Sequence, residues 1–309
     1  MSATTTNTKP GSALKRVAFF PGCLIPIRYP HMEAALRRTL PNLGIEIVDV
    51  DGFTCCPDPI HFKAADKLSW LTMATRNLCL AEEQGLEIFT CCSGCTATLS
   101  EASDLLAHDE ELRGRINERL KRIGKHYKGT TRVRHVVTLI RDEIGLEKVK
   151  SSVKRPLEGL RIAIHYGCHL LKPSPIMNVD DPDNPVMMEN LVKAIGAIPV
   201  RHEEWILCCG KSVGDGKIRQ EMMETLLSSI KDKEPDCLCL ICPSCFGEFD
   251  VGQIHATRRL NRDVKTPAAY FFQLLGLAQG FSAEAVGLDR HRVKPEKVLE
   301  YYGSALAEV

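Results

Sequence analysis

The chain alternates short apolar runs with longer stretches of helical periodicity, and it does so twice. Arg16 to Phe20 (RVAFF) reads as a strand that stops at Pro21-Gly22-Cys23, and Arg161 to Tyr166 (RIAIHY) reads as one that stops at Gly167-Cys168. Each is followed by a helical stretch, Met32 to Leu40 or Pro185 to Ile195. Each helix leads through a glycine, Gly44 or Gly196, into a second apolar strand, Ile45 to Val48 or Ile198 to Val200. Further helices are predicted over about Lys63 to Gln84 and Ile218 to Lys231, then strands over Leu86 to Thr90 and Cys237 to Ile241. Beyond these, one helix is expected from near Thr98 toward Ile123, against a shorter segment from Phe246 to Leu260. The segments HVVTLIRDEIG (135 to 145) and YFFQLLGLAQG (270 to 280) also line up.

This is an internal duplication. Strands alternating with helices predict an α/β fold of two pseudo-symmetric repeats, each a small parallel-sheet α/β domain with cysteine-bearing loops at the strand ends. Lys148 to Gly159 lacks apolar periodicity and holds Pro156 and Gly159, so the joint is placed there. Residues 1–14 then form a polar, flexible tail, 15–155 the first domain and 156–309 the second.

Composition narrows the function classes. At 309 residues with 44% hydrophobic content, the chain can fill two cores without a disulfide scaffold. Forty basic residues against thirty-nine acidic ones leave a net charge of +1, no footprint for nucleic acid or an acidic membrane. The tail MSATTTNTKPGSAL lacks a secretory apolar region, and the longest apolar run, Ala268 to Ala278, is far short of a membrane span. A cytoplasmic protein is expected. In that reducing compartment, clustered cysteines bind metal or do redox work more often than they form stable disulfides.

Ten of the fourteen cysteines fall into one five-cysteine pattern written twice. The first copy is Cys23, Cys55-Cys56 and Cys92-Ser-Gly-Cys95; the second is Cys168, Cys208-Cys209 and Cys242-Pro-Ser-Cys245. The intervals are 31 and 35 residues in the first copy, 39 and 32 in the second. A conventional four-iron cubane or a structural zinc takes four protein ligands, so five is one too many for either. Adjacent cysteines in an extended chain point opposite ways and can meet one centre only if the backbone turns between them. Pro57 and Gly210, which follow the two doublets, make such turns plausible.

On these residues the chain resembles the cysteine-rich CCG domains found in the B subunit of heterodisulfide reductase. HYGCHLLKP (165 to 173), CCG (208 to 210) and FFQLLGLAQG (271 to 280) resemble that B subunit beyond the broader CCG group of glycolate-oxidase and lactate-utilisation proteins. The resemblance spans residues 15 to 285. It implies two noncubane [4Fe-4S] clusters, one held by Cys23, Cys55, Cys56, Cys92 and Cys95, the other by Cys168, Cys208, Cys209, Cys242 and Cys245. It further implies a small-molecule or carrier-bound disulfide substrate between the clusters, and two partners in the same complex: a ferredoxin-like C subunit and a flavin-containing A subunit. Two clusters match a reaction of two electrons and two sulfurs. The alternatives are a sulfur-oxidising complex acting on a thiol or persulfide carrier, and a non-catalytic electron-relay or metal-stabilised protein with zinc or a conventional cluster at one site.

Other residues are read as structural. Cys239, Cys242 and Cys245 begin a ferredoxin signature, but Phe249 stands where its fourth cysteine would be. Cys79, Cys237 and Cys239 are expected to be buried as small hydrophobes, and Cys91 is favoured as structural because Ile241 takes its place in the second copy. His61, His165 and His169 lie near the cysteines and are expected to be hydrogen-bonded or to donate toward sulfur rather than to be catalytic. Lys211 is read as a solvated lysine or a cation for an anionic substrate, and the helix after Cys95 as a source of amide donors toward the first cluster. The glycine-rich run 210 to 216 fits no nucleotide motif.

Overall fold

The computed structural model describes residues 14–307, so the tail expected over 1–14 lies, but for Leu14, outside the described residues. The first half is a parallel sheet of β1 (Lys15–Phe19), β2 (Ile45–Val48), β3 (Ile88–Thr90) and β4 (Val133–His135), in the order β2-β1-β3-β4. The second repeats it with β5 (Arg161–Ile164), β6 (Ile198–Val200), β7 (Cys237–Leu240) and β8 (Ala268–Tyr270), in the order β6-β5-β7-β8. Equivalent residues anchor the registers: Ala18 pairs with Val48 and Ile88, and Ala163 with Val200 and Leu238. Strands covered on both faces must be apolar throughout, and β3 and β7 are buried along their whole length. Phe19 of β1 stacks on Phe89 of β3 at 5.1 Å, a contact worth about 0.5–1.5 kcal/mol beyond its burial.

In both sheets the chain runs from the first strand to one side and then crosses back to the other. The crevice beyond the carboxyl ends of β1 and β3, and of β5 and β7, is where such sheets bind ligands. Cys23 and Cys92 follow the first pair of strands, Cys168 and Cys242 the second.

Several elements differ from the sequence reading, for local reasons. The helix expected from Lys63 breaks at Asp66, whose extended backbone and side chain cap the helix Lys67–Glu82 by accepting from Leu68 and Ser69 amides. The helix expected from Thr98 to Ile123 is two, Ser93–His108 and Glu110–Lys121, because Asp109 caps the second by accepting from the Leu112 amide. Both helices that follow a C-x-x-C start earlier than expected, at Ser93 and Pro243, immediately after a cysteine. The proposed joint is partly helical, over Leu146–Ser151, with Val149 buried.

The halves are interlocked. The helix Phe271–Ala278 of the second half packs on Pro30–Thr39 of the first, and Leu146–Ser151 packs on Met187–Ala194. Gln279 ties the first exchange, accepting from Asn42 at 2.8 Å and donating to Ser152 Oγ at 3.0 Å. The helix Ser93–His108 lies against Cys168–Leu171 and Ser174–Met177 of the second half. This contact brings the cysteine-bearing ends of the two sheets together.

Candidate metal centre

Glycine sets the approach of the single cysteines. Gly22 and Gly167 have φ of +66° and +72°, a left-handed conformation that side chains disfavour. A Cβ on Gly22 would lie 2.7 Å from Cys95 Sγ, and one on Gly167 3.1 Å from Cys245 Sγ. The positive φ and the close approach to sulfur both call for glycine at these positions.

The doublets are fastened to the helices behind them. Asn77 on the helix Lys67–Glu82 accepts from the Thr54 amide at 3.0 Å and donates to the Cys55 carbonyl at 3.1 Å. Thr98 Oγ1 donates to the Pro57 carbonyl at 2.9 Å. In the second half Gly210, at φ +79°, donates its amide to Cys208 Sγ at 3.4 Å. There Glu248 accepts from Lys211 at 2.9 Å and from Arg219 Nε at 2.9 Å.

In the C-x-x-C pairs the first cysteine is the N-cap of the helix that carries the second. Cys92 (φ −119°, ψ 116°) and Cys242 (φ −122°, ψ 126°) adopt the same conformation. In the second half the amides of Ser244 and Cys245, in the first turn of that helix, face the Cys242 sulfur.

Together these elements bring all ten predicted ligands into one unbroken chain of neighbouring sulfurs. It runs Cys23, Cys55, Cys56, Cys95, Cys92, then Cys242, Cys245, Cys209, Cys208 and Cys168. The order is palindromic: single, doublet and C-x-x-C meet C-x-x-C, doublet and single, with Cys92 and Cys242 joining the halves. Cys56 and Cys242 are held below the ordinary thiol range by donors on either side, Cys55 with Cys95 and Cys245 with Cys92 respectively. Cys168 and Cys209 likewise lower Cys208, to about 2. Cys23, Cys92, Cys95, Cys168, Cys209 and Cys245 are pushed up, Cys209 to about 12, chiefly by hydrogen bonding to a neighbouring sulfur. Ten crowded thiols cannot all ionise unaided; a metal group held by them would stabilise them together as thiolates.

The donor set fits a multi-iron group. Five soft sulfurs converge on each side, the glycines leave room beside them, and amides face them. Among the described residues no three His, Cys, Asp or Glu side chains surround a single-ion position. Two cavities flank the sulfur chain. One of about 290 Å³ is lined by the first five cysteines, and one of about 80 Å³ by the second five. They share a wall of Asp58, Pro59, Gly94, Lys211, Ser212 and Ser244, drawn from both halves.

The other four cysteines stand apart from this chain. Burial pushes Cys79, Cys91 and Cys237 up to about 12 and raises Cys239 as well. The Cys91 carbonyl accepts from the Tyr270 hydroxyl at 2.7 Å, a bond across the halves. His169 Nδ1 lies 3.2 Å from Cys168 Sγ, and His61 lines the first cavity. Lys211 lines both cavities while paired with Glu248, so it is neither free nor remote. Of the two roles expected for His165, a hydrogen bond to protein is absent: it is 1% exposed, and neither ring nitrogen has a partner among the described residues. Burial pushes its pKa down to about 3 and keeps it neutral. Sequence reasoning missed Ser93, His135 and Tyr270. Ser93 sits in plain view inside the first C-x-x-C, but the other two reach the site only through folding.

A family profile described as a cysteine-rich domain (CCG) matches residues 17–100 and 162–250. The B subunit of the ferredoxin/F(420)H(2)-dependent CoB-CoM heterodisulfide reductase of Methanosarcina acetivorans is 39% identical over 91% of this chain and 95% of its own length. The 8-methylmenaquinol:fumarate reductase membrane anchor subunit of Wolinella succinogenes is 31% identical, over 92% of this chain and 99% of that protein. Among the described residues no helix is long and apolar enough to cross a membrane. The crystal structure of a hypothetical protein from Helicobacter pylori shares the fold, with a TM-score of 0.71 at 17% identity over 93% of this chain and 53% of that one. With two CCG domains and B-subunit relatives aligned along nearly its whole length, the chain belongs to the family of heterodisulfide reductase B subunits.

Proposed function

We propose that this protein is the catalytic iron-sulfur subunit of a heterodisulfide reductase-type complex, an oxidoreductase that cleaves or forms a disulfide between two sulfur-ligated sites. The observation that carries this reading is the palindromic sulfur chain, with a cavity on each side and a shared wall between them. In this reading Cys23, Cys55, Cys56, Cys92 and Cys95 hold one noncubane [4Fe-4S] cluster, and Cys168, Cys208, Cys209, Cys242 and Cys245 the other. When bound, the clusters supply one electron each and iron as a Lewis acid for sulfur.

The protein's own residues supply position and protons. Reduction of one disulfide consumes two electrons and two protons and releases two thiols. His169, beside Cys168, and His61, in the first cavity, stand where each half can deliver a proton. Lys211 places a cation at the shared wall, where an anionic disulfide can be held across both cavities. Pro21, Leu24 and Pro243 give the first cavity apolar walls that restrict water. Electrons arrive through partner proteins, namely a ferredoxin-like C subunit and a flavin-containing A subunit, in the reducing cytoplasm that ten free thiols require.

Analysis of the loaded protein should find about eight iron atoms and eight acid-labile sulfides per chain. With a reduced viologen as donor it should turn over the CoB-CoM heterodisulfide. Full iron without turnover on any disulfide would sink the catalytic assignment. It would favour electron relay, which the likeness to a protein of a menaquinol:fumarate reductase supports. One zinc and one conventional cluster would refute the paired-site mechanism.

A further inference from the structure

The two sulfur sets share the backbone of their C-x-x-C caps but have different surroundings. His165 stands three residues before Cys168, where Phe20 stands before Cys23. The two side chains take the same place: a Cβ on Gly22 would lie 4.0 Å from Phe20 Cε1, and one on Gly167 3.8 Å from His165 Nε2. A carbon edge therefore faces the first set and a nitrogen edge the second. The His165 ring is held against Phe249 at 4.7 Å, within electrostatic reach of Cys208 and Cys242.

The same bias recurs at independent positions. Ser93 lines the cavity of the second set, while its counterpart Pro243, which has no donor, lines that of the first. Ser93 is 2% exposed, and its hydroxyl has no partner among the described residues. His135, the last residue of β4, is 1% exposed, lies within electrostatic reach of Cys242, and has an unpartnered Nε2. Its counterpart Tyr270 at the end of β8 has already given its hydroxyl to the Cys91 carbonyl. His61 lies on the side of the first set, but it is exposed and water screens it.

A buried donor without a partner is costly unless something accepts from it. Donors aimed at cluster sulfur, and positive charge nearby, raise a reduction potential. We propose that the site of Cys168, Cys208, Cys209, Cys242 and Cys245 is poised at a higher reduction potential than that of Cys23, Cys55, Cys56, Cys92 and Cys95, with His165 and Ser93 as its principal positioning donors. This rests on the iron-sulfur reading above. It gives the two-electron reaction an order: the first electron settles at the second site and the next at the first. Each site takes one electron from the donor, and no bond is made or broken in that step.

Anaerobic potentiometric titration of the iron-loaded protein, with dithionite as reductant, tests this. The wild type should show two one-electron waves. His165→Phe, a residue already accommodated at the equivalent position, should move the upper wave toward the lower and leave the lower unmoved. His165→Asn, which retains an N–H, should move it less, and Phe20→His should raise the lower wave. Ser93→Ala should lower the upper wave and serves as the second reading if His165→Phe loads iron poorly. Coincident waves in the wild type, a lower wave that moves in His165→Phe, or waves unmoved by both His165→Phe and Ser93→Ala would overturn the proposal. Wild type with far fewer than eight irons defeats the iron-sulfur reading as well, whereas full iron with unmoved waves defeats only this one.

Discussion

Set side by side, the two halves agree in what places sulfur and disagree in what surrounds it. Gly22 and Gly167 share a positive φ, and Cys92 and Cys242 share cap dihedrals to within 10°. Yet Phe20 and Pro243 border the first set where His165 and Ser93 border the second. Backbone geometry answers to the size and valence of the bound group, so it tolerates little change. The surroundings answer to potential and substrate, which need not be equal on the two sides. On the proposal above, sites that share their sulfur frame and differ in their neighbours would take their two electrons in sequence.

The largest effect should come from the ligands. Cys56→Ser and Cys209→Ser should each lose roughly half of the iron, from opposite sites, because each removes a central member of one sulfur set. Cys79→Ser and Cys91→Ser should retain all of it, since neither side chain joins the sulfur chain. Loss of iron in Cys79→Ser would overturn the division into ten ligands and four structural thiols.

Next come the glycines, where the halves differ in degree. Gly22→Ala puts a methyl 2.7 Å from Cys95 Sγ, inside any normal contact, while Gly167→Ala puts one 3.1 Å from Cys245 Sγ. Both also incur a positive-φ backbone penalty of about 1–3 kcal/mol. Thermal unfolding and iron content should show the larger loss in Gly22→Ala. Equal losses would mean that backbone strain, and not the sulfur contact, sets the cost.

The repeat and the grouping of its cysteines were legible in the sequence because type and order recur, a single, a doublet and a C-x-x-C, twice, and each set of five lines one cavity. Two parallel sheets followed from alternating periodicity. What was not legible depended on side chains competing locally or meeting across the halves. Asp66 and Asp109 broke predicted helices by capping the next one, a choice that an apolar pattern does not record. His165 could be suspected from its place beside Cys168, but an ordinary hydrogen-bonded histidine and one with both nitrogens unpartnered look identical in sequence. Tyr270 and Cys91 lie 179 residues apart, so their bond had no local signal.

A smaller difference lies in how each doublet loop is tied to the helix beyond its C-x-x-C. Thr98 uses a neutral hydroxyl on the Pro57 carbonyl, whereas Glu248, three residues past Cys245 as Thr98 is past Cys95, uses ion pairs to Lys211 and Arg219. Thr98→Val should cost about 1 kcal/mol, independent of salt. Glu248→Gln should cost about 1.5–3 kcal/mol, because a mostly buried carboxylate with charge-assisted bonds is lost, and the cost should shrink as salt rises. Thermal unfolding at two ionic strengths separates them. Salt dependence that is equal in the two variants would show that the charged tie contributes nothing beyond shape.

The finest contrast is at the ends of β4 and β8, and it decides whether polar atoms at equivalent positions stabilise the fold or serve the site. Tyr270 donates to the Cys91 carbonyl at 2.7 Å, so Tyr270→Phe leaves a buried acceptor without that donor and should cost about 1–2 kcal/mol with the iron intact. His135 contributes much less to the protein around it. Its Nδ1 accepts a long bond from the Val137 amide at 3.3 Å, and its Nε2 is buried without a protein partner. If His135 were there for stability, His135→Phe would destabilise as Tyr270→Phe does. If its free nitrogen is oriented toward the second sulfur set, His135→Phe should leave the unfolding temperature of the iron-free protein nearly unchanged, because removing an unsatisfied polar atom offsets the weak bond that goes with it. Comparing iron-free and iron-loaded forms of both variants gives the answer. A destabilisation by His135→Phe that appears only in the loaded form places its partner on the bound group; an equal loss in both forms would make it a structural residue like Tyr270.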